Sequence, residues 1–188
     1  MANNSKFVSQ AKPKVAGAVW SAPAGVQLPT DATTALAEDF KCLGYVSEDG
    51  WTKSTEFTTS AVKAWGGDKV LESSEKSGES LKIKFIEALN ADVLKMVYGA
   101  DNVTGTLDEG LVVASKSGAP ITHSIVIEEI LKNGVLQRVV FPYAILNALG
   151  DETHKTTDPI GYECTFGIEA DTNGVFHYEY KKTPASGD

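Results

Sequence analysis

The chain has 188 residues, a formal net charge of −8, 42% apolar residues and 22% charged residues. This length and composition predict one globular domain that folds without disulfides or metals. The acidic balance argues against tight, sequence-specific binding of nucleic acid, which requires clustered Lys and Arg. It is compatible with nucleic acid as a passing cargo that an acidic wall repels, although many proteins are acidic for solubility alone.

The cysteines and the termini indicate a reducing compartment. Cys42 and Cys164 lie far apart in strand-like contexts, so we expect two buried thiols, with a disulfide only if their strands are neighbours. Residues 1–14 lack the apolar segment of a signal peptide. The most apolar stretch, residues 139–149, is too short to span a bilayer. These features predict a soluble cytoplasmic product.

The chain opens with an N-terminal arm, residues 1–20, that is polar at first and then small and apolar. Val15, Val19 and Trp20 near its end need a surface on which to bury. That surface is either the arm's own domain or another chain, and the pattern favours neither. A single domain over residues 21–182 follows.

Short elements come next along the chain. Residues 33–40 favour a short helix with Leu36 and Phe40 on one face. CLGYV is typical of a strand and SEDG, at 47–50, of a turn. Residues 51–65 then favour a long strand rich in Thr and Val.

The region 47–80 contains turn residues, polar residues and aromatics together. Gly66 and Gly67 interrupt its strand, and SSEKSGES at 73–80 predicts a polar loop. We expect this region to project as a loop or hairpin, and aromatics on such segments commonly lie in interfaces. The candidate residues for contact between subunits are Val15, Val19, Trp20, Trp51, Phe57 and Trp65.

Two further patterns are regular. Leu81, Ile83 and Phe85 alternate with polar residues, which predicts a half-buried strand. ADVLKMVY at 91–98 predicts a helix, because Asn90 is a good N-cap and Gly99 a good terminator.

The sequence 123–141 carries a strong hairpin signal, because Asn133-Gly134 separates two apolar stretches. A two-residue turn would pair residues whose numbers sum to 267, and so would place Glu129 opposite Arg138. Strands over 159–170 and 175–182 follow, and we expect residues 183–188 to be disordered. Together the elements predict a mainly β fold, an antiparallel β-sandwich or rolled sheet with one flanking α-helix.

No constellation of catalytic, metal-binding or cofactor-binding residues is visible. His123, His154 and His177 have no ligand partner at metal-binding spacing. Glu128 and Glu129 would point to opposite faces of a strand, so they cannot form a general acid/base pair. We therefore expect no cofactor and no enzyme activity. Strands with apolar residues on both faces suggest a second burial surface such as a subunit contact, or merely imperfect patterning.

Several segments in fixed order resemble the siphophage major tail proteins of Gram-positive and actinobacterial hosts. The resemblance covers about residues 16–182. It rests on GAVWSAPAGVQLPTDATTAL, FKCLGYVSEDGWT, AWGGDKVL, IKFIEALNADVLKMVYG and RVVFPYAILNALGDETHKTTDPIGYECTFGIEADTNGVFHYEYKK.

The resemblance implies a structural protein of the virion tail that is assembled in the host cytoplasm, without contact to a membrane. Subunits of that family form rings, usually of six, whose sheets join into one inner barrel. The rings stack along a tape measure protein, a terminator stops the growth, and a distal tail protein is a further partner. DNA crosses the lumen only transiently.

Alternatives come from other classes: a tube protein of a contractile or secretion-type injection system, or a monomeric β-sandwich binding module. A tube protein forms rings or polymers, whereas a module stays small. In the tube interpretation, the arm and the 47–80 region are the two halves of a contact between rings, mobile until assembly orders them. Deletion of residues 1–20 would then leave the fold intact and block assembly.

Overall fold

Antiparallel strands dominate residues 3–184, the part of the chain that this computed structural model describes. The strands are β1 (Lys12–Pro13), β2 (Val19–Pro23), β3 (Lys41–Cys42), β4 (Val46–Lys63), β5 (Lys69–Phe85), β6 (Val103–Thr104), β7 (Val112–Val113), β8 (Thr122–Ile130), β9 (Leu136–Leu149), β10 (Tyr162–Glu169) and β11 (Tyr178–Lys182). One α-helix, α1, covers Ala91–Tyr98. The prediction of a mainly β, antiparallel fold with one flanking helix is confirmed. Residues 185–188 of the expected disordered tail lie outside the described residues.

One large sheet has the strand order β3-β2-β8-β9-β10-β5-β4. β1 pairs with β8 in line with β2, and β11 pairs with β9 in line with β10. β6 and β7 form a separate small ribbon. β4 is the last strand of this order, and among the described strands it pairs with β5 alone.

The core covers both faces of the central strands. Leu81, Ile83 and Phe85 are buried on one face, as their alternation predicts, and pack with the apolar side of α1. On the opposite face, Val126 and Val140 pack under Phe40 and the segment that follows β2. The second apolar face of β8 and β9 is therefore covered by the subunit's own chain.

Helix α1 begins and ends where the sequence predicts. The Asn90 side-chain oxygen accepts a hydrogen bond from the Asp92 amide at 3.0 Å. Gly99 ends the helix with φ 93°, a conformation that a residue with a Cβ rarely adopts.

Three predicted local elements are wrong. Residues 33–40 are not helical, because the Asp31 carboxylate accepts the Thr33 and Thr34 amides at 2.5 and 2.6 Å and sets a turn instead. Residues 47–50 form a bulge inside β4, between the pairs Val46–Phe85 and Trp51–Ile83, and Gly50 has φ 69°. SSEKSGES lies inside β5, where β4 pairs with it along its length.

The hairpin at Asn133-Gly134 is present, but its register differs by one residue from the prediction. Leu131 and Val135 close a three-residue loop, so the paired numbers sum to 266. Arg138 therefore lies opposite Glu128, and Glu129 lies opposite Gln137. This one-residue shift in the register of β8 and β9 decides which of their side chains share a face, because side chains alternate between the two faces along a strand.

Candidate assembly surface

The outer part of the β4–β5 hairpin projects beyond the rest of the sheet. β10 pairs with β5 only from Glu79 to Phe85, so residues 69–78 of β5 pair with β4 alone. Residues 54–77 of the chain are exposed on both faces. At about 3.3 Å per residue, the projecting part is roughly 30 Å long. A two-stranded ribbon without packing is marginal in isolation, which is typical of a segment that meets a partner.

Apolar side chains concentrate near the end of this hairpin. Trp65 lies in the terminal turn and is fully exposed, at 106% of its reference area. Val62 and Leu71 form a directly opposed pair beside that turn, and both are exposed. Phe57 is exposed further from the end. We call the group of Val62, Trp65 and Leu71 the hairpin tip; the sequence pointed to Trp65 but not to the other two.

A polar cluster fixes the base of the hairpin. The buried Glu79 accepts hydrogen bonds from Lys76 Nζ at 2.5 Å and from His177 Nδ1 at 2.6 Å. A bulge between them places Lys76 and Glu79 on the same face of β5. His177 Nε2 lies 2.7 Å from Lys53 Nζ, which can only donate, so this contact is a hydrogen bond when Nε2 accepts and Nδ1 donates to Glu79. The cluster ties β4 and β5 to the residues that lead into β11.

Acidification is expected to weaken this attachment. Burial alone would raise the pKa of Glu79, but hydrogen bonds from Lys76 and His177 outweigh it and hold the pKa below its ordinary value of 4.5. A carboxylate whose pKa is lower in the folded protein than in the unfolded chain contributes its full stabilisation at pH values above the unfolded-state pKa. This contribution is lost as the pH falls through the folded-state pKa. At pH 7 the melting temperature of Glu79→Gln should therefore be lower than that of the wild type. Between pH 7 and pH 3 it should decline less steeply than the wild-type value.

Glu75→Gln is the matched control, since Glu75 is an exposed residue on the same strand. Its pH profile should follow the wild-type profile. Equal slopes for Glu79→Gln and wild type would contradict the assignment.

The N-terminal segment follows the edge of β8. β1 and β2 both pair with β8, and the residues between them bulge away after Lys14 donates its amide to the Glu128 carbonyl. Val15, on this bulge, is 99% exposed. Val19 is buried in the core cluster that packs with α1. Trp20 is half-buried against the cluster of Val126 and Val140 on the opposite face of the sheet. Of these three candidate contact residues, only Val15 is fully available to another chain.

A buried ion pair lies beneath this segment. Arg138 donates from Nε and Nη2 to Glu128 Oε1, at 3.1 and 2.5 Å, and from Nη1 to the Asp31 carbonyl at 2.7 Å. Lys14 Nζ reaches the other Glu128 oxygen at 2.9 Å. Both Arg138 and Glu128 are buried. The network joins β8, β9, the N-terminal segment and the loop after β2.

Trp51 is half-buried and packs largely inward. Its indole Nε1 donates to Glu129 Oε1 at 2.7 Å, and its ring meets Phe141 edge-on with centroids 6.2 Å apart. Glu129 also accepts from Gln137 Nε2 at 2.9 Å. Val19 is therefore corrected from a contact candidate to a residue of the subunit's own core, whereas Trp51 supports the fold and also lines a surface cavity.

An open cavity of about 840 Å³ lies between the N-terminal segment and the beginning of β4. Ala18, Val19 and Ile127 are among its apolar lining residues, and Tyr45, which also lines it, is 76% exposed. Glu48 and Asp49 contribute exposed carboxylates. We call this cavity the N-terminal groove. This groove could not be predicted from the sequence, because residues 47–50 have the composition of an ordinary turn.

Comparison with known families decides the assignment. A family model described as "Phage tail tube protein" matches residues 1–173. The chain belongs to the phage tail tube protein family. A comparison with curated proteins returned no significant match.

For a tail tube protein the relevant surfaces are structural, and the family supports a structural role in the virion tail. Among residues 3–184, no group of three His, Cys, Asp or Glu side chains could hold a metal ion. No helix in the same residues has the length and apolar character needed to cross a membrane. The strands of Cys42 and Cys164 are separated by other strands of the sheet, both thiols are free, and burial raises the pKa of Cys164 to about 12.

Proposed function

We propose that this tail tube protein self-assembles into rings, of six copies, that stack into the tube of a siphophage tail and conduct DNA at ejection. The observation that carries the proposal is the unpartnered β4–β5 hairpin, with a long open edge on β4 and apolar residues at its end. Open edges of this length invite pairing with another chain, and closure into a barrel removes them.

Within such a tube, the N-terminal segment and the hairpin make the contacts between rings, with Val15, Trp20, Phe57 and Trp65 as candidate contact residues. The exposure of Val15, Phe57 and Trp65 supports this role. A contact between two different surfaces repeats without closing along the axis, which suits a stack of rings. Assembly takes place in the host cytoplasm with a tape measure protein, a tail terminator and a distal tail protein.

The acidic composition supports transient passage of DNA. A ring of six chains at −8 each carries a formal charge of −48. We expect a lumen that is acidic or neutral overall, so that the phosphate backbone is not retained. A ring whose lumen is lined mainly by Lys and Arg would contradict this.

The experiment is a concentration series of the purified protein, followed by sedimentation and negative-stain microscopy. We expect rings at low concentration and tubes at high concentration. A protein that stays monomeric under all conditions, including with a tape measure protein present, would contradict the proposal and favour a binding module.

A further inference from the structure

We propose that the hairpin tip of one copy inserts Trp65 into the N-terminal groove of the next copy along the tube axis. The inference rests on the proposed function and deepens it by naming the two surfaces that meet. The occupant of the groove is a second copy of this chain. Three observations, on apolar shape, on charge and on position, select that occupant.

The two surfaces match in apolar character. An indole ring that is wholly exposed in the subunit is a large aromatic group without a partner, and such groups commonly dominate interfaces. The groove exposes small apolar residues, including Ala16 and Ala18, that leave room for a large ring. Its volume of about 840 Å³ exceeds one indole, so it also accommodates Val62 and Leu71 beside Trp65.

The groove is acidic, and lysines flank the terminal turn. Among the charged lining residues Lys14 is outnumbered by Glu48, Asp49, Glu87 and Glu129, while Lys63 and Lys69 stand on either side of a turn that also contains Asp68. Lys69 already pairs with Glu72 at 2.5 Å. Within residues 3–184, Lys63, Glu48 and Asp49 make no ion pair. Docking would supply these groups with partners of opposite sign and would fix the orientation of the tip.

The positions of the two surfaces favour a contact between copies. The groove lies at the beginning of β4 and the tip lies beyond its end, so one strand connects them. The interval from Trp51 to Trp65 is fourteen residues, roughly 45 Å along an extended strand. A tip cannot bend back over that distance to its own groove. A head-to-tail contact whose rotation does not close into a ring repeats along an axis, here with a spacing on the order of 45 Å.

The first test compares two exposed residues of the same hairpin, Trp65 and Thr59. Trp65→Ala should raise the concentration needed for tube formation at least about tenfold, as loss of a central interface residue does. Thr59→Ala, the control on the same hairpin, lies away from the tip and outside the candidate contact residues, and should change it less than about twofold. The melting temperature of both variants should equal that of the wild type, because neither residue packs on the core. Polymerisation of Trp65→Ala at the wild-type concentration would overturn the inference.

A charge exchange tests the orientation of the docked tip. Lys63→Glu and Glu48→Lys should each weaken polymerisation, and the double variant should recover most of the loss. If the loss of polymerisation in the double variant equals the sum of the two single losses, the proposed pairing of Lys63 with Glu48 is overturned.

A third test captures the contact by a disulfide. Gly66 lies beside Trp65 with open space around it, and Tyr45 lies at the groove. With Cys42 replaced by Ser, a chain carrying both Gly66→Cys and Tyr45→Cys should give a ladder of linked chains after mild oxidation of tubes. Each single variant should stop at dimers or monomers.

The outcomes separate the two proposals. Normal tubes of the double-cysteine protein without a ladder would overturn the tip-and-groove contact and leave the tube function intact. Failure of the wild-type chain to form any tube would overturn both.

Discussion

Replacing Arg138 with Ala is expected to lower the free energy of unfolding by about 3–5 kcal/mol, because it leaves the buried Glu128 without its partner. Arg138 fills a buried position and donates three hydrogen bonds, to Glu128 and to the Asp31 carbonyl. Lys14 would remain near Glu128, but it is partly exposed. It cannot replace a guanidinium that bonds to both Glu128 and the Asp31 carbonyl. Urea titration followed by fluorescence or circular dichroism measures the change.

Two comparisons make this result specific. Lys82→Ala removes an exposed ion pair with Glu163 and should cost less than about 1 kcal/mol. The double variant Glu128→Leu with Arg138→Met should recover much of the loss, because an apolar pair avoids an uncompensated buried charge. A loss below about 1 kcal/mol for Arg138→Ala would show that the pair contributes no more than a surface ion pair.

Deleting residues 1–20 is expected to unfold the domain or to remove most of its stability. The sequence alone predicts that the fold survives this deletion, but the structure leads us to expect the opposite, because Val19 is a core residue and Trp20 pairs with both Cys42 and Val126. The deletion also removes Lys14 from the buried carboxylate. Loss of one large core side chain alone costs about 1–5 kcal/mol, against a total stability of about 5–15 kcal/mol.

Deletion of residues 1–11 is the matched control. Residues 3–11 are exposed, so their loss should change the melting temperature by no more than a few degrees. This shorter deletion isolates the arm's part in assembly, since the fold and most of the N-terminal groove are retained. Wild-type stability after deletion of 1–20 would contradict the structural role of Val19.

Local patterns in the sequence were sufficient for elements whose causes are local. The alternation of Leu81, Ile83 and Phe85 predicted a strand with one buried face, since that period is a direct consequence of strand geometry. Asn90 and Gly99 predicted both ends of α1, because caps act within one helical turn. Asn133-Gly134 predicted the hairpin, because both residues adopt positive φ at low cost.

The hairpin register depended on tertiary structure. Asn-Gly is compatible with loops of two or three residues, and the choice between them moves every side chain to the opposite face. The observed three-residue loop places Arg138 on the face where the Asp31 carbonyl and Glu128 satisfy it. Asp31 is 107 residues away in the chain, so no local pattern could show that partner.

The long hairpin and the groove show the same limit at the assembly surface. SSEKSGES has the composition of a loop because its first five residues, 73–77, are exposed to solvent on both faces, and there only the pairing with β4 makes a strand. The sequence could mark Trp65 as an aromatic in a polar, turn-rich segment. It could not place Trp65 and the N-terminal groove at opposite ends of one strand. The groove joins residues 11–19 and 44–51 only because β2 pairs with β3, the strand that directly precedes β4. Apolar and charged residue types were readable from composition, whereas their arrangement as complementary surfaces was a product of long-range strand pairing.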